Sequence, residues 1–255
     1  MSEVINKQLM VSVYKEFKYN LGERNLIDVL QEIKSDKYQS EVNSIRYALH
    51  KGDEKTADEI KSGLNGFTMS GTYGTSRTKA NLNTYSQIIG LDFDHIPVTE
   101  LDTLVKLIND CKYTFASFIS PSGEGIKVFI KINSNATQHT TAYNQVATFY
   151  KNLSGYDFDA KCKDITRLCF VSCDTDLFLN ENAVLQHHKE HCLSYIWDNK
   201  EKFTIKTFDP PNKKLHRVDV KLDVDTFDDY YKLAMKNFDI NTSSEELIKL
   251  FGEEK

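Results

Sequence analysis

Apolar positions along the chain recur with two different periods, and the period changes from one segment to the next. A short apolar run over 10–14 has the length of a strand. Leu26, Val29, Leu30 and Ile33 then recur at helical spacing, and Val42, Ile45 and Leu49 repeat the pattern, so two helices are predicted. A third is predicted over about 54–62, followed by a Gly-, Ser- and Thr-rich stretch that predicts short strands and turns. From Ile88 the pattern sharpens. Residues 88–93 form an apolar run ending in acids. Leu101, Leu104, Val105 and Ile108 make a helical stripe, for which Thr99 is the expected N-cap with Asp102 three residues on. Residues 113–119 are apolar and aromatic, as in a buried strand, and Ser120-Pro121-Ser122-Gly123-Glu124-Gly125 reads as a turn. Next, Ile126, Val128, Ile130 and Ile132 alternate with Lys127, Phe129 and Lys131, the signature of a strand with one apolar and one polar face. Ala142, Val146, Phe149 and Leu153 mark a further helix, and residues 167–172 a further strand.

The order strand, helix, strand, strand, helix, strand is that of the split βαβ arrangement found in ferredoxin-like and RNA-recognition-motif folds. The expected fold class is therefore α+β. An N-terminal α/β module spans 1–90, a core like the RNA-recognition motif spans 91–176, and a helical extension or linker spans 177–255. Within that extension a helix is expected near 181–197, a break at Pro210-Pro211, and a charged helix near 225–238. No internal repeat or low-complexity tract is visible.

Composition narrows the class. The 255 residues are 40% apolar and 27% charged, which suits one large or two small globular domains and excludes a disordered or collagen-like chain. No apolar run approaches the roughly 18 residues a membrane helix needs, and the N-terminus MSEVINKQLM lacks the layout of a secretory signal. Five cysteines (Cys111, Cys162, Cys169, Cys173 and Cys192) lack CxxC spacing, which argues against a disulfide framework. A soluble, cytoplasmic protein without a membrane partner is expected.

A net charge of -5 argues against non-specific coating of nucleic acid. The charge is unevenly spread, however. Residues 61–91 contain no acid but carry Lys61, Arg77 and Lys79, together with Gly63, Gly66, Gly71, Gly74 and Gly90, while acids crowd the C-terminal third. Either these are ordinary hairpins, or a basic to neutral surface leads an anionic ligand toward the acids that follow.

Those acids are Asp92-Phe93-Asp94. At i and i+2 on a strand both carboxylates project from one face, where they repel unless a cation lies between them. Hard divalent ions take such oxygen ligands, although a solvated strand end has the same pattern. A second constellation is the glycine turn leading into Lys127, where backbone N–H groups and an ammonium suit a phosphate; a hairpin with a surface lysine reads the same way. A third runs from Phe158 to Arg167. Asp159 there can supply a third carboxylate and Arg167 a guanidinium fork for a triphosphate, or Asp159 or Asp164 simply pairs with Arg167. His187, His188, His191 and Cys192 form a weak zinc candidate without a partnering CxxC. His95 reads as a solvated or supporting histidine.

Taken in order, these motifs resemble the archaeo-eukaryotic primase superfamily. More closely, residues 11–176 look like the VirE N-terminal, primase-like family, whose members often precede a helicase-type ATPase in mobile genetic elements. The likeness is carried by Phe67-Thr68-Met69-Ser70-Gly71-Thr72-Tyr73, by Leu91-Asp92-Phe93-Asp94, by the segment from Phe118 through Ser120-Pro121-Ser122-Gly123-Glu124-Gly125 to Val128, and by Asp164-Ile165-Thr166-Arg167-Leu168-Cys169-Phe170.

The resemblance implies a nucleotidyltransferase acting in DNA replication, in a mobile-element or phage-like context. Asp92, Asp94 and Asp159 would hold Mg²⁺ or Mn²⁺. Ser122, Gly123, Gly125, Lys127 and Arg167 would bind the nucleotide triphosphate, and Arg77 and Lys79 a single-stranded DNA template. A helicase-type ATPase would be another protein or lie outside this sequence, which carries no GxxxxGK[ST] loop. Lys127 departs from the histidine usual at its position in the superfamily. Two other readings stand beside this one: a catalytically inactive module of the same fold that binds single-stranded nucleic acid, and a metal-dependent phosphatase or nuclease. For the phosphatase, His95-Ile96 lacks the Thr or Val that a haloacid-dehalogenase-type enzyme places two residues after its second Asp.

Overall fold

Val11 and Val13 face a helical layer from β1 (Met10–Lys15), while Ser12 and Tyr14 face the other way, as the alternation of a strand requires. The structure, a computed structural model, describes residues 9–186, all of which fall in one compact unit. A hairpin joins β1 to β2 (Tyr19–Asn25). Asn25 then caps α1 (Leu26–Lys34), its side chain accepting a hydrogen bond from the Ile27 amide, and Leu26, Val29, Leu30 and Ile33 form the buried stripe. The next helices are α2 (Gln39–His50) and α3 (Glu54–Gly63). The glycine-rich region folds as β3 (Asn65–Thr68), β4 (Gly71–Tyr73) and β5 (Leu82–Tyr85). Then come β6 (Ile88–Phe93), α4 (Val98–Asn109), β7 (Thr114–Ile119), β8 (Ile126–Lys131), α5 (His139–Ser154), β9 (Leu168–Phe170) and β10 (Phe178–Leu179).

The strands make a four-stranded sheet in the order β2-β1-β3-β9, another in the order β10-β7-β8-β6, and the β4-β5 hairpin. One core lies among α1, α2, α3, the first sheet and one face of the second. The other lies between the opposite face of the second sheet and helices α4 and α5. The second sheet is thus buried on both faces, so β8 is not half polar: Ile126, Val128 and Ile130 pack toward α4 and α5, while Phe129 packs toward β3.

Mixed α+β architecture matches the expectation. The expected four-stranded core is assembled only in part. Strands β7, β8 and β6 stand in the order a split βαβ unit requires, but β9, the expected fourth strand, pairs with β3 instead of β6, and β10 takes the far edge beside β7. Thr99 is no cap: α4 starts at Val98, with Pro97 before it and no side-chain cap bond. Residues 181–186 form a turn and a bridge to Ile132 instead of starting a helix, and the other C-terminal elements lie outside the described residues.

A polar pocket in this fold carries a pH-dependent contribution to stability. His139 at the start of α5 is buried, its Nδ1 2.9 Å from the Tyr85 hydroxyl, and burial holds its pKa down at about 4. The unfolded chain titrates near 6.5, so this contribution is complete above that pH and is lost as the pH falls through about 4. The interval sets an upper bound of about 3 kcal/mol at 1.36 kcal/mol per pH unit. Urea denaturation at pH 7 and at pH 4.5 is expected to show a smaller loss of stability in His139→Gln than in the parent; equal slopes would exclude His139 as the source.

Candidate active site

In the antiparallel register of β6 and β8, Asp92 stands directly opposite Lys127. Paired residues share a face, and this face looks toward the first sheet, because Ile89, Leu91 and Phe93 take the helical side. The Lys127 ammonium forms an ion pair with Asp92 Oδ2 and lies 3.9 Å from Asp94 Oδ1. The i, i+2 spacing of the two acids therefore brings both carboxylates to one cation, and that cation is part of the chain.

Burial sets the electrostatics. The Asp92 and Lys127 side chains are 14% and 13% exposed, against 44% for Asp94. Burial and the nearby Asp94 carboxylate push Asp92 above the ordinary carboxylate range, while Lys127 pulls it back. Burial disfavours the Lys127 ammonium, but Asp92, Cys169 and Asp94 outweigh it and raise the lysine. Asp92 Oδ1 is buried with no hydrogen-bond partner. Such an oxygen normally has one, and a hard cation is one of the few groups that can satisfy it.

Glycines let the surrounding chain close in. A Cβ on Gly125 would stand 2.3 Å from the Phe93 carbonyl oxygen and 3.2 Å from Asp94 Oδ1, so only glycine lets the turn before β8 pass over the end of β6. The turn itself is closed internally. The Gly123 amide donates to Ser120 O (3.0 Å), Ser120 N donates to Gly125 O (2.9 Å), and the Ser120 and Ser122 hydroxyls are 2.9 Å apart. The Gly123 amide, expected on a phosphate, is thus engaged within the turn.

Asp159 arrives from the far end of α5. Its amide donates to the Asp92 carbonyl oxygen at 2.9 Å, which docks the third acid on the open edge of β6 beside the first. Its carboxylate accepts from the Lys161 amide and, at 2.9 Å, from Arg167 Nη2. Asp159 and Arg167 therefore meet as the sequence suggested, paired with each other. The loop between them is fastened to the β4–β5 hairpin. Tyr73 Oη donates to Ile165 O (2.5 Å), and Arg77 Nη1 donates to Thr166 O (2.7 Å) while lying over the Tyr14 ring. Arg77, expected on the template, is instead an anchor for this loop; Lys79 is exposed nearby.

Three neighbours carried no signal in the sequence. Arg46 of α2 donates from Nη2 to Ser120 O (3.3 Å), and a Cβ on Gly123 would stand 3.3 Å from its Nε. An arginine on a helix of ordinary amphipathic pattern does not announce a partner 74 residues away. Cys162 and Cys169 are buried beside the Asp92–Lys127 pair, and burial pushes both thiols up, Cys162 to about 12, so neither is a nucleophile at neutral pH.

The unpartnered Asp92 Oδ1 and the half-exposed Asp94 carboxylate are the kind of oxygen donors a hard divalent ion takes, whereas the Asp159 carboxylate is engaged by Arg167 and the Lys161 amide. Among the described residues no group of three or more His, Cys, Asp or Glu side chains converges as a ready ligand set. His95 is exposed, with φ 56°, and turns the chain so that the Ile96 amide reaches Glu124 O (2.9 Å). His187, His188, His191 and Cys192 lie outside the described residues. Among the described residues no helix is long and apolar enough to cross a membrane.

Residues 59–179 are similar to the family described as BT4734-like, N-terminal domain. The matched segment contains Asp92, Asp94, Lys127, Asp159 and Arg167, and leaves out β1, β2 and Arg46. Searches among curated proteins and among solved structures found no match.

Proposed function

We propose that the chain is a metal-dependent nucleotidyltransferase of the primase-polymerase type, adding nucleotides to a 3′-hydroxyl on a single-stranded DNA template. The observation that carries this reading is the buried, unpartnered Asp92 Oδ1, set beside Asp94 and hydrogen-bonded through the Asp92 carbonyl to Asp159. The motif order, which resembles the archaeo-eukaryotic primase superfamily and its VirE N-terminal relatives, supports the same reading. So do two cations, Lys127 and Arg167, each held by an acid of the site.

Asp92 and Asp94, with Asp159 alongside, would hold Mg²⁺ or Mn²⁺, which when bound supplies Lewis-acid stabilisation to the attacking and leaving oxygens. The protein's own part is positioning and charge. Lys127 keeps the two carboxylates together in the free protein and offers its ammonium, as a point charge, to an entering triphosphate. Arg167 holds Asp159 at the strand edge and presents its remaining N–H donors to phosphate oxygens. The loop fastened by Tyr73 and Arg77 keeps that guanidinium in place. Nucleotide triphosphates, a single-stranded template and a helicase-type ATPase are the partners this reading calls for.

Template-dependent synthesis with labelled nucleotides and Mn²⁺ tests it. Replacing Asp92 and Asp94 together by alanine is expected to lower incorporation by at least about 10²–10³-fold, the scale of losing a preorganised charge in an active site. Incorporation that survives the double substitution would remove these residues from the reaction. A second reading has an observation of its own: the Lys127 ammonium contacts both carboxylates, where a cation would otherwise sit. A binding module that has replaced its metal by a lysine would show salt-sensitive binding of single-stranded DNA and no incorporation with any metal.

A further inference from the structure

The hairpin between β1 and β2 turns through Glu16 and Phe17, both in the left-handed region with φ 50° and 60°, closed by a 3.1 Å hydrogen bond from Lys18 N to Lys15 O. Glycine and asparagine are the usual residues of such a turn, and a phenylalanine rarely adopts this backbone conformation. Phe17 is nevertheless there, 41% exposed, with its ring edge-on to Phe170 at 4.7 Å between centroids. An exposed aromatic held in a disfavoured conformation calls for a reason other than packing economy.

Its surroundings supply one. Tyr14, Gly66 and Phe170 are successive partners in one row across β1, β3 and β9, with Tyr14 buried and the Leu168 side chain beside Gly66. Cations border the row. Lys61 Nζ lies 5.8 Å from the Phe170 ring centre, and Lys18 is exposed in the turn, against Glu16 as the acid of the same turn. β9 starts one residue after Arg167, so Phe170 lies about 10 Å along the strand from the residue that holds Asp159. An exposed phenylalanine ring set against a second one and bordered by two lysines has the elements of a platform for single-stranded nucleic acid. Bases stack on the rings and phosphates meet the cations.

We propose that Phe17 and Phe170, with Lys18 and Lys61, form a stacking surface for single-stranded nucleic acid. The ligand class rests on the function proposed above; the surface is separate from the acids.

The test is fluorescence anisotropy of a labelled oligothymidylate with the full chain, beside thermal melts. Phe17→Asn is expected to weaken binding about 5- to 150-fold, the value of roughly 1–3 kcal/mol per stacked base. Its melting temperature should be unchanged or higher, because asparagine tolerates the backbone conformation. Phe170→Leu, which keeps the strand apolar, is expected to weaken binding in the same direction. Unchanged affinity in Phe17→Asn overturns the proposal. So does tighter binding of duplex than of single strand, or a dimer that dissociates on the substitution, which would make the surface a contact between copies. Labelled-nucleotide incorporation by the parent chain, measured beside its oligothymidylate binding, separates the two readings. Phe17-dependent binding without incorporation would support the platform while removing the catalytic reading.

Discussion

Lys127→Met is expected to cost about 3–5 kcal/mol of folding stability, the usual result of removing one partner from a buried ion pair. The side chain it removes is 13% exposed and pairs with a carboxylate that is 14% exposed. What it leaves behind is worse than the lost attraction: Asp92 stays buried, one of its oxygens already without a partner, and Asp94 repels it across the strand end. Changing both residues, Asp92→Leu with Lys127→Met, should recover most of the loss, because a well-packed apolar pair often replaces a buried ion pair without penalty. Urea denaturation of the two single variants and the double variant measures this directly. The same variant probes the cation site. With the ammonium gone, the two carboxylates have no internal counterion, so Mn²⁺ should raise the melting temperature of Lys127→Met by more than that of the parent, as binding to the folded state alone requires. If Mn²⁺ shifts neither, Asp92 and Asp94 do not share a metal; if it shifts both equally, the ion does not compete with Lys127.

Much of the chain could be read from its pattern, and the misreadings have physical causes. The helices α1, α2, α4 and α5 follow stripes that packing only had to confirm, α3 lies where a helix is expected, and 88–93, 114–119 and 126–131 form strands near where alternation and apolar runs put them. β2 went unseen because its residues, Tyr-Asn-Leu-Gly-Glu-Arg-Asn, are mostly exposed and carry no period, so pairing with β1 alone makes it a strand. Thr99 looked like a cap because Thr with an acid three residues on is a cap signal; Pro97 starts the helix earlier by fixing its own φ. The pairing of β9 with β3 is a long-range choice for which three apolar residues hold no information.

At the site, sequence order gave the right neighbourhood but not the partners. Asp92 and Asp94 on one face follow from strand geometry, whereas Asp92 opposite Lys127 depends on register, and a slip of one residue would have sent Lys127 to the other face. Likewise the glycines before β8 read as a phosphate cradle. Gly123 turns out to close the turn on itself, and Gly125 gives way to the backbone of β6.

Phe129→Ala tests the central difference between that pattern and the fold, and is expected to cost about 3–5 kcal/mol, the scale for emptying a buried aromatic position. Alternation along β8 puts Phe129 on a polar face with Lys127 and Lys131, and a solvated ring would tolerate alanine with little loss. In the structure it is fully buried, stacked between Phe67 at 6.0 Å and Phe118 at 5.8 Å, so it joins the two sheets on the very face that carries Lys127. Each aromatic contact adds about 0.5–1.5 kcal/mol beyond the area it buries. Removing the ring should therefore lower the urea midpoint with an unchanged slope. Phe129→Leu, which keeps most of the volume, should cost less than the alanine change. A loss below about 1 kcal/mol for Phe129→Ala would mean that this face of β8 is solvated. The buried pairing of Lys127 with Asp92, and with it the low-dielectric setting assigned to the acids, would then be wrong as well.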